Sequence, residues 1–311
     1  MIKRFLLVCI VSAIFYTIVV NFTTFGKTAR KAGISQSILF IGNSFTFAHG
    51  SPVMNYHAES VTDLNNTKLG GVPALFKTFT NEAGLNFAVN LETSPGANLD
   101  FHLKERADKI IKPWNYVVMQ GFSTLDKDNP GDPTAMVISA AEIAKQLRNK
   151  NPKVDIHLTS TWARADQVYL KTGFWRRQSI EKMTNDIRKG YNVAAEKASI
   201  KDVIPVGQAW CRAINTGVAD ANPYDGIEAG KINLWTTDNY HGSAYGYYIE
   251  ALMVFASITG DDPACLGKNE TAAKELGFTT EQTVALQKIA HDELVARSGY
   301  PPLKTFVAVL K

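Results

Sequence analysis

Short apolar runs alternate with longer amphipathic stretches along most of this chain. Five runs are rich in Val, Ile and other strand formers: residues 38–41, 87–92, 116–119, 154–160 and 203–206. Short continuous apolar runs of this kind are typical of buried parallel strands. The pattern therefore predicts five strands that are covered on both faces.

Helical patterns fill the intervals between these runs. They cover residues 73–83, 99–111, 134–149 and 176–199, and two further helices are predicted at 243–259 and 281–297. Strands that alternate with helices form a parallel sheet with helices on both faces. We therefore expect an α/β protein, a three-layer α/β/α sandwich around a five-stranded parallel sheet. No linker, repeat or low-complexity tract divides residues 34–311, so a single domain is expected there.

Candidate chemistry follows the strand ends. Ser44, Gly96 and Gln120 come after the first three predicted strands, and Trp162 and Trp210 follow the fourth and fifth. In open parallel sheets, sites form at the carboxyl ends of the strands, near the switch in strand order. The sequence therefore predicts that these residues converge at one edge of the sheet.

A serine, an aspartate and a histidine are the strongest candidates for catalysis. Ser44 ends the first strand region, and Asp238 and His241 lie three residues apart far downstream. A serine hydroxyl becomes a nucleophile when a histidine takes its proton and a carboxylate orients that histidine. The structural alternatives are a helix-capping role for Ser44 and an Asx turn for Asp238. The other five histidines, at 49, 57, 102, 157 and 291, lack this context and are expected to be surface or core residues.

Four short motifs in order resemble those of the SGNH (GDSL-type) hydrolases. Gly42-Asn43-Ser44 matches the first block of that family, Gly96 the glycine of its second block, and Asp238 with His241 its last block. The third block departs from the family pattern, because Gln120-Gly121-Phe122-Ser123 replaces Gly-x-Asn-Asp. The subfamily with a Gln in this block is the one that the chain most resembles.

The resemblance implies a flavodoxin-like fold and assigns a role to each matching residue. Ser44 would be the nucleophile, His241 the general base and Asp238 its partner. The oxyanion hole would use the backbone N–H groups of Ser44 and Gly96 together with a side chain from Gln120 or Ser123. Neither a cofactor nor a metal is implied.

A group of aromatic and basic residues is a candidate for substrate binding. Trp162, Trp210, Tyr240 and Arg164 are predicted to lie in loops at the site, where aromatic faces stack on sugar rings and Arg meets a carboxylate. Their alternative role is packing, which is the commoner use of large aromatics. Residues 217–231, rich in Gly, Asn, Asp and Pro, read as a long loop that serves as a lid or substrate loop.

The expected reaction is hydrolysis of a small acyl ester, such as an acetyl group, on a carbohydrate or cell-envelope polymer. Two alternatives stay open at this point. The same residues would serve an O-acetyltransferase, and the altered third block is compatible with a catalytically silent carbohydrate-binding module.

The positive charge of the chain is concentrated at its N-terminus. The net charge is +4, yet the first 31 residues carry five basic side chains and no acid, which leaves about −1 for the rest. A nucleic-acid surface is therefore not expected.

Residues 1–33 are predicted to be a signal peptide or a membrane anchor, because Lys3 and Arg4 precede an uncharged stretch at 5–20. Both interpretations place the protein in the periplasm or outside the cell. In that environment Cys211 and Cys265 either form a disulfide or stay separate thiols.

Overall fold

A six-stranded parallel sheet forms the centre of the computed structural model, which describes residues 33–309. The strands are β1 Gln36–Gly42, β2 Thr62–Asp63, β3 Phe87–Thr93, β4 Tyr116–Met119, β5 Asp155–Ser160 and β6 Asp202–Pro205, in the spatial order β2-β3-β1-β4-β5-β6. All five neighbouring pairs are parallel. The five predicted strands are present, and the predicted count of five is corrected to six. The additional strand, β2, has two residues at the sheet edge, too few to produce an apolar run.

Ten α-helices are found among the described residues. They are α1 Gly71–Glu82, α2 Leu99–Glu105, α3 Ala107–Ile110, α4 Thr134–Lys150, α5 Ala165–Tyr169, α6 Ile180–Lys197, α7 Val206–Asn215, α8 Ala244–Thr259, α9 Thr271–Glu275 and α10 Thr280–Val295. Helices α2, α4 and α6 pack in one row, while α1, α8 and α10 pack in another, and α7 contacts both rows. The predicted three-layer α/β/α architecture is therefore confirmed.

The strand order changes direction next to β1. From β1 the chain passes through the edge strand β2 to β3, and it then passes back beyond β1 to β4. Helix α1, before β3, and helix α2, after it, lie in different helix rows. The carboxyl end of β1 is therefore the point where strand order switches, which is where ligands bind in this class of sheet. Ser44 lies two residues beyond that end.

One predicted helix is divided in the structure, and three helices, α5, α7 and α9, were not predicted. The predicted helix at 99–111 is divided into α2 and α3 at Arg106, whose φ of −136° is far from helical. Helix α7 was missed, because its first residue was assigned to the preceding strand and Gly207 lowers the helix propensity of its first turn. Its buried residues Trp210 and Ala213 nevertheless follow helical spacing, so packing against α6 and α8 stabilises it.

The predictions for the N-terminus lie outside the described residues. Apart from Gly33, the export or anchor segment predicted at 1–33 is not described, and neither is its uncharged part at 5–20. Within residues 33–309, no helix is both long enough and apolar enough to cross a membrane.

Cys211 and Cys265 are free cysteines. Cys211 is buried, which raises the pKa of its thiol to about 11, and its Sγ lies 3.4 Å from Thr184 Oγ1. Of the two alternatives for these residues, the structure has separate thiols.

Candidate active site

The turn after β1 is held by Gln120, which lies at the end of β4. Gln120 Oε1 accepts hydrogen bonds from the Asn43 N–H and the Thr46 hydroxyl, each at 3.1 Å. This close approach requires a glycine at position 42. A Cβ there would lie 2.0 Å from Thr46 Oγ1 and 2.8 Å from Gln120 Oε1. The Gly42-Asn43-Ser44 motif is therefore explained locally by the packing of Gln120 under the turn.

Asn43 and Asn98 join the three loops that follow β1, β3 and β4. Asn43 Nδ2 donates to the carbonyl oxygens of Ala97, at 2.8 Å, and Gly121, at 3.2 Å. Asn98 Oδ1 accepts from the Phe122 N–H at 3.0 Å. All of these atoms are buried or half-buried, so the bonds fix the positions of the loops relative to one another. Sequence reasoning gave neither asparagine a role, although Asn43 lies inside the motif that it quoted.

Asp238 organises the loop that carries His241. Asp238 Oδ2 lies 2.7 Å from His241 Nδ1. Its other oxygen, Oδ1, accepts from the backbone N–H groups of Tyr240 and His241, each at 2.9 Å, and from the Thr236 hydroxyl at 2.7 Å. The predicted pairing of Asp238 and His241 is thus present in the structure. The same contacts make an Asx turn, the structural alternative for Asp238, and its catalytic role stays a prediction.

The pKa values of this pair move downward for different reasons. Burial opposes the charged form of Asp238, but the hydrogen bonds from His241, Thr236 and the backbone outweigh it and lower the pKa of the carboxyl to about 2. Burial lowers the pKa of His241, with smaller contributions from His49 and Arg164, although Asp238 acts in the opposite direction. At neutral pH the imidazole is therefore neutral and its partner is ionised, as a general base requires.

The structure brings the Ser44 turn against the His241 ring. The ring of Phe45, the next residue after Ser44, lies 5.4 Å from that of His241, and the ring of His49 lies 4.9 Å from it. His241 Nε2 is buried and has no hydrogen-bond partner among the described residues, so a bond to Ser44 Oγ is not formed here. Such bonds are often long in unliganded enzymes. The arrangement provides an unpaired nitrogen on a ring that packs against Phe45, the residue after Ser44.

Comparisons with solved structures identify the fold. A DUF4886 family protein from Bacteroides uniformis is 18% identical, with 86% of this chain and 98% of that chain covered at a TM-score of 0.56. A candidate GDSL-like lipase from Parabacteroides merdae is 17% identical, with 72% and 95% covered at a TM-score of 0.50. The protein has the SGNH-hydrolase fold. The sequence matches no family model and no curated protein.

The backbone oxyanion donors at Ser44 and Gly96 stay a prediction, and the structure describes the surroundings of each. The Ser44 N–H donates to no acceptor among residues 33–309, while the N–H groups of Phe45 and Thr46 bond to Asn43. Gly96 has a φ of +67°, which favours glycine, and a Cβ there would meet nothing within 4 Å. The loop of Gly96 is therefore open to a ligand on that side.

The predicted role of Gln120 is corrected. Its carboxamide oxygen holds the turn, and Gln120 Nε2 donates to the Gly121 carbonyl, all in a buried position. We therefore assign Gln120 to support of the Ser44 turn instead of the oxyanion hole. Ser123 is buried too, and its Oγ accepts a long bond of 3.4 Å from Arg164 Nη1. A donor role for Ser123 stays a prediction.

Two of the predicted substrate-binding residues are core residues in the structure. Trp162 and Trp210 are 0% and 1% exposed, and their rings stack on each other with centroids 4.4 Å apart. Trp162 also stacks on Phe45, again at 4.4 Å. Side chains without exposed surface cannot contact a substrate, so the predicted binding role was wrong for both. Their packing instead supports the residue next to Ser44.

Tyr240 and Arg164 lie at the site, but they face each other. The Arg164 guanidinium carbon is 3.7 Å from the Tyr240 ring centroid, and the His241 ring centroid is 3.9 Å from it. Two groups this close to one centroid must occupy opposite faces of the ring, because on one face they would overlap. Arg164 also forms two hydrogen bonds with Asp166, at 2.7 and 3.0 Å. Tyr240 thus links Arg164 to the imidazole, and both its faces are covered.

His49 is a site residue that sequence reasoning missed. It is exposed, its ring lies 4.9 Å from that of His241, and its N–H donates to the Ser44 carbonyl at 2.9 Å. Its position five residues after Ser44 was a weak signal, because a turn of that length returns the chain to the serine.

Proposed function

We propose that the protein is a serine ester hydrolase that acts through an acyl-enzyme. The observation that carries this proposal is the His241 ring, which is paired with Asp238 through Nδ1, has an unpaired Nε2 and contacts the turn of Ser44. A neutral imidazole with one free nitrogen beside a serine is the arrangement that serine hydrolases need. The SGNH fold and the motifs of the chain support the same reaction class.

The proposed mechanism has two halves. Ser44 Oγ attacks the ester carbonyl carbon while His241 Nε2 takes the hydroxyl proton, and the N–H groups of Ser44 and Gly96 stabilise the oxyanion. The C–O bond to the alcohol then breaks, and the imidazolium returns its proton to the departing oxygen. In the second half, His241 takes a proton from water, the hydroxide attacks the acyl carbon, and Ser44 leaves with that proton as the acid is released.

A small acyl group fits this site best. Ser44 and His241 are both buried, and Phe45, the residue after Ser44, packs against Trp162 and Tyr240, from which we infer that the space for the acyl group is small. More room is found beside Gly96, where a surface cavity of about 330 Å³ is lined by Ser94, Asn98 and Phe122 among others. We therefore propose an acetyl ester of a carbohydrate or cell-envelope polymer as substrate, and export directed by residues 1–33.

The test is labelling with a fluorophosphonate together with hydrolysis of 4-nitrophenyl acetate, butyrate and octanoate. Wild type should be labelled and should prefer acetate. Ser44→Ala should lose labelling and lose activity by about 10⁴-fold or more, and His241→Ala should lose most of both. Ser139→Ala is a matched control, since Ser139 Oγ only donates within its own helix to Ala135 at 2.7 Å.

Thermal unfolding of each variant shows whether it has folded. Full activity in folded Ser44→Ala would exclude the proposed nucleophile. Folded wild type that neither reacts with the probe nor hydrolyses any of the three esters would favour the binding-module alternative.

A further inference from the structure

Two exposed tyrosines lie next to each other at the same end of the sheet as Ser44. Tyr169, on α5, and Tyr224, on the long loop 217–231, are 38% and 40% exposed, and their ring centroids are 6.3 Å apart with an interplanar angle of 62°. We refer to this pair as the tyrosine platform. Large exposed aromatic side chains that cluster at a site are candidates for ligand contact, in contrast to the buried tryptophans.

The tyrosine platform is continuous with the active site. The Tyr224 hydroxyl lies near the side chain of Asn239, which lies between Asp238 and Tyr240 in the chain. The Asn239 carbonyl accepts from the Asp166 N–H, at 3.3 Å, in the first turn of α5. The helix of Tyr169 and the loop of His241 are therefore joined directly. A chain-like ligand that extends from Ser44 past Tyr240 would meet the platform next.

Hydrogen bonds hold the loop of Tyr224 in place against α5. The Tyr169 hydroxyl donates to the Ala221 carbonyl at 2.7 Å. Buried Asp220 accepts from the N–H groups of Asn222, at 3.0 Å, and Glu228, at 2.9 Å. These bonds close the loop on itself and fix it to α5, so little conformational entropy is lost when a ligand binds. This rigidity favours a binding surface over the lid that was the other expectation for residues 217–231.

The surroundings of the platform select the chemistry of its ligand. Asp166, Asp225 and the amide of Asn222 surround the rings, and Asn222 Nδ2 donates to Asp225 Oδ2 at 2.7 Å. The charge of nearby Arg164 is already paired with that of Asp166. The Asp225 carboxylate, which has no cationic partner among the described residues, repels an anionic polymer, and an alkyl chain would desolvate it without compensation. A sugar ring satisfies both requirements, because its C–H face stacks on tyrosine and its hydroxyl groups donate to carboxylate and amide oxygens.

We propose that Tyr169 and Tyr224 form a subsite for a neutral carbohydrate chain, which positions an ester on that chain at Ser44. This inference rests on the proposed esterase function and specifies its substrate as polymeric. It gives loop 217–231 a role in specificity, since small esters do not reach the platform.

The experiment compares kcat/KM for polymeric and small esters. The probes are partially acetylated xylan, glucomannan and chitin-derived chains, together with 4-nitrophenyl acetate and octanoate. Wild type should prefer at least one polymer over 4-nitrophenyl acetate. In Tyr224→Ala and Tyr169→Ala the ratio of polymer to small-ester kcat/KM should fall about tenfold, mainly through KM. Tyr224→Phe, which keeps the ring, should retain most of the ratio.

A matched control is Phe174→Ala, since Phe174 is an exposed aromatic that packs on Trp175 outside the platform. It should leave the ratio at the wild-type value. No polymer preference in wild type, an unchanged ratio in both alanine variants, or a selective loss of octanoate hydrolysis would each overturn the proposal.

A failure of the esterase proposal is distinguished from a failure of the platform by a binding measurement. Affinity electrophoresis of Ser44→Ala in gels that contain the same polymers reports binding without turnover. If wild type hydrolyses no ester, the esterase function is wrong. If Ser44→Ala is nevertheless retarded in the gel and the double variant Ser44→Ala/Tyr224→Ala is not, the carbohydrate subsite is supported.

Discussion

Replacement of Asp238 by alanine is expected to weaken catalysis without abolishing it. Asp238 Oδ2 accepts from His241 Nδ1 at 2.7 Å, but the Asp238 side chain is 43% exposed. A charged hydrogen bond contributes about 1.5–3 kcal/mol, and competition from water places this one toward the lower value. Each 1.4 kcal/mol corresponds to about tenfold in rate, so Asp238→Ala should lose roughly 10- to 100-fold in kcat/KM. Loss of a buried triad aspartate lowers the rate about 10⁴-fold. The smaller loss expected for Asp238→Ala follows from the exposure of Asp238.

The same substitution has a signature in the pH profile. The negative charge of Asp238 raises the pKa of His241 against the effect of burial. Its removal lowers that pKa further, so the acid limb of the kcat/KM profile should move to lower pH, below its wild-type position. The assay is hydrolysis of 4-nitrophenyl acetate from pH 4.5 to 8.5, with the ester's spontaneous hydrolysis subtracted.

The stability effect should stay small enough for the variant to fold. The pKa of Asp238 falls from 3.8 to about 2 on folding, which corresponds to about 2.4 kcal/mol before solvent screening and roughly 1 kcal/mol after it. Because the folded pKa is the lower one, this stability is present above pH 3.8 and is lost as the pH falls toward 2. Asp238→Ala should therefore be slightly destabilised at neutral pH, as measured by urea unfolding.

Thr236→Val is the matched control, because it removes one of the four hydrogen bonds to Asp238 and leaves the His241 pair intact. We expect less than a threefold change in kcat/KM from it. The reasoning is refuted if folded Asp238→Ala loses 10⁴-fold or more, or if its acid limb moves to higher pH.

Two further predictions concern stability. Trp162→Ala should lower the free energy of unfolding by about 3–5 kcal/mol in urea, because its fully buried ring stacks on both Phe45 and Trp210, whereas Ile138→Ala, at a position 63% exposed, should change it by less than about 0.5 kcal/mol. His157 is buried, which opposes its charge, but Asp155 and Asp202 at 3.3 and 3.5 Å raise its pKa to about 9. The stabilisation by charged His157 is therefore complete below pH 6.5 and is lost as the pH rises through about 9. In wild type the free energy of unfolding in urea should fall by at most about 3 kcal/mol over this range, and in His157→Leu it should not show this fall.

Local pattern predicted most of the sheet and failed where an element was short or its boundary overlapped another. The apolar runs of β1, β3, β4, β5 and β6 were visible because a strand buried on both faces must be apolar along its whole length. β2 has only two residues, Thr62 and Asp63, and carries no such signal. Helix α7 begins at Val206, a residue that the sequence pattern assigned to the preceding strand.

The candidate triad was accessible from sequence for a chemical reason. Ser44 ends a strand, and Asp238 and His241 are three residues apart, so the spacing that lets a carboxylate reach its histidine is local. The role of Gln120 was inaccessible, and that of His49 had only the weak signal of its position five residues after Ser44. Gln120 holds a turn 77 residues away, and His49 meets a ring on a distant loop.

Residue type and spacing alone thus determined the alternation of strands and helices, the edge of the sheet where the candidate site lies, and the candidate nucleophile and base. Tertiary structure alone decided which aromatic side chains are available to a ligand. Trp162 and Trp210 pack inward while Tyr169 and Tyr224 stay exposed. The physical reason is that the exposure of an aromatic side chain depends on which residues the rest of the fold packs against it. Residue type alone does not distinguish a buried aromatic side chain from an exposed one.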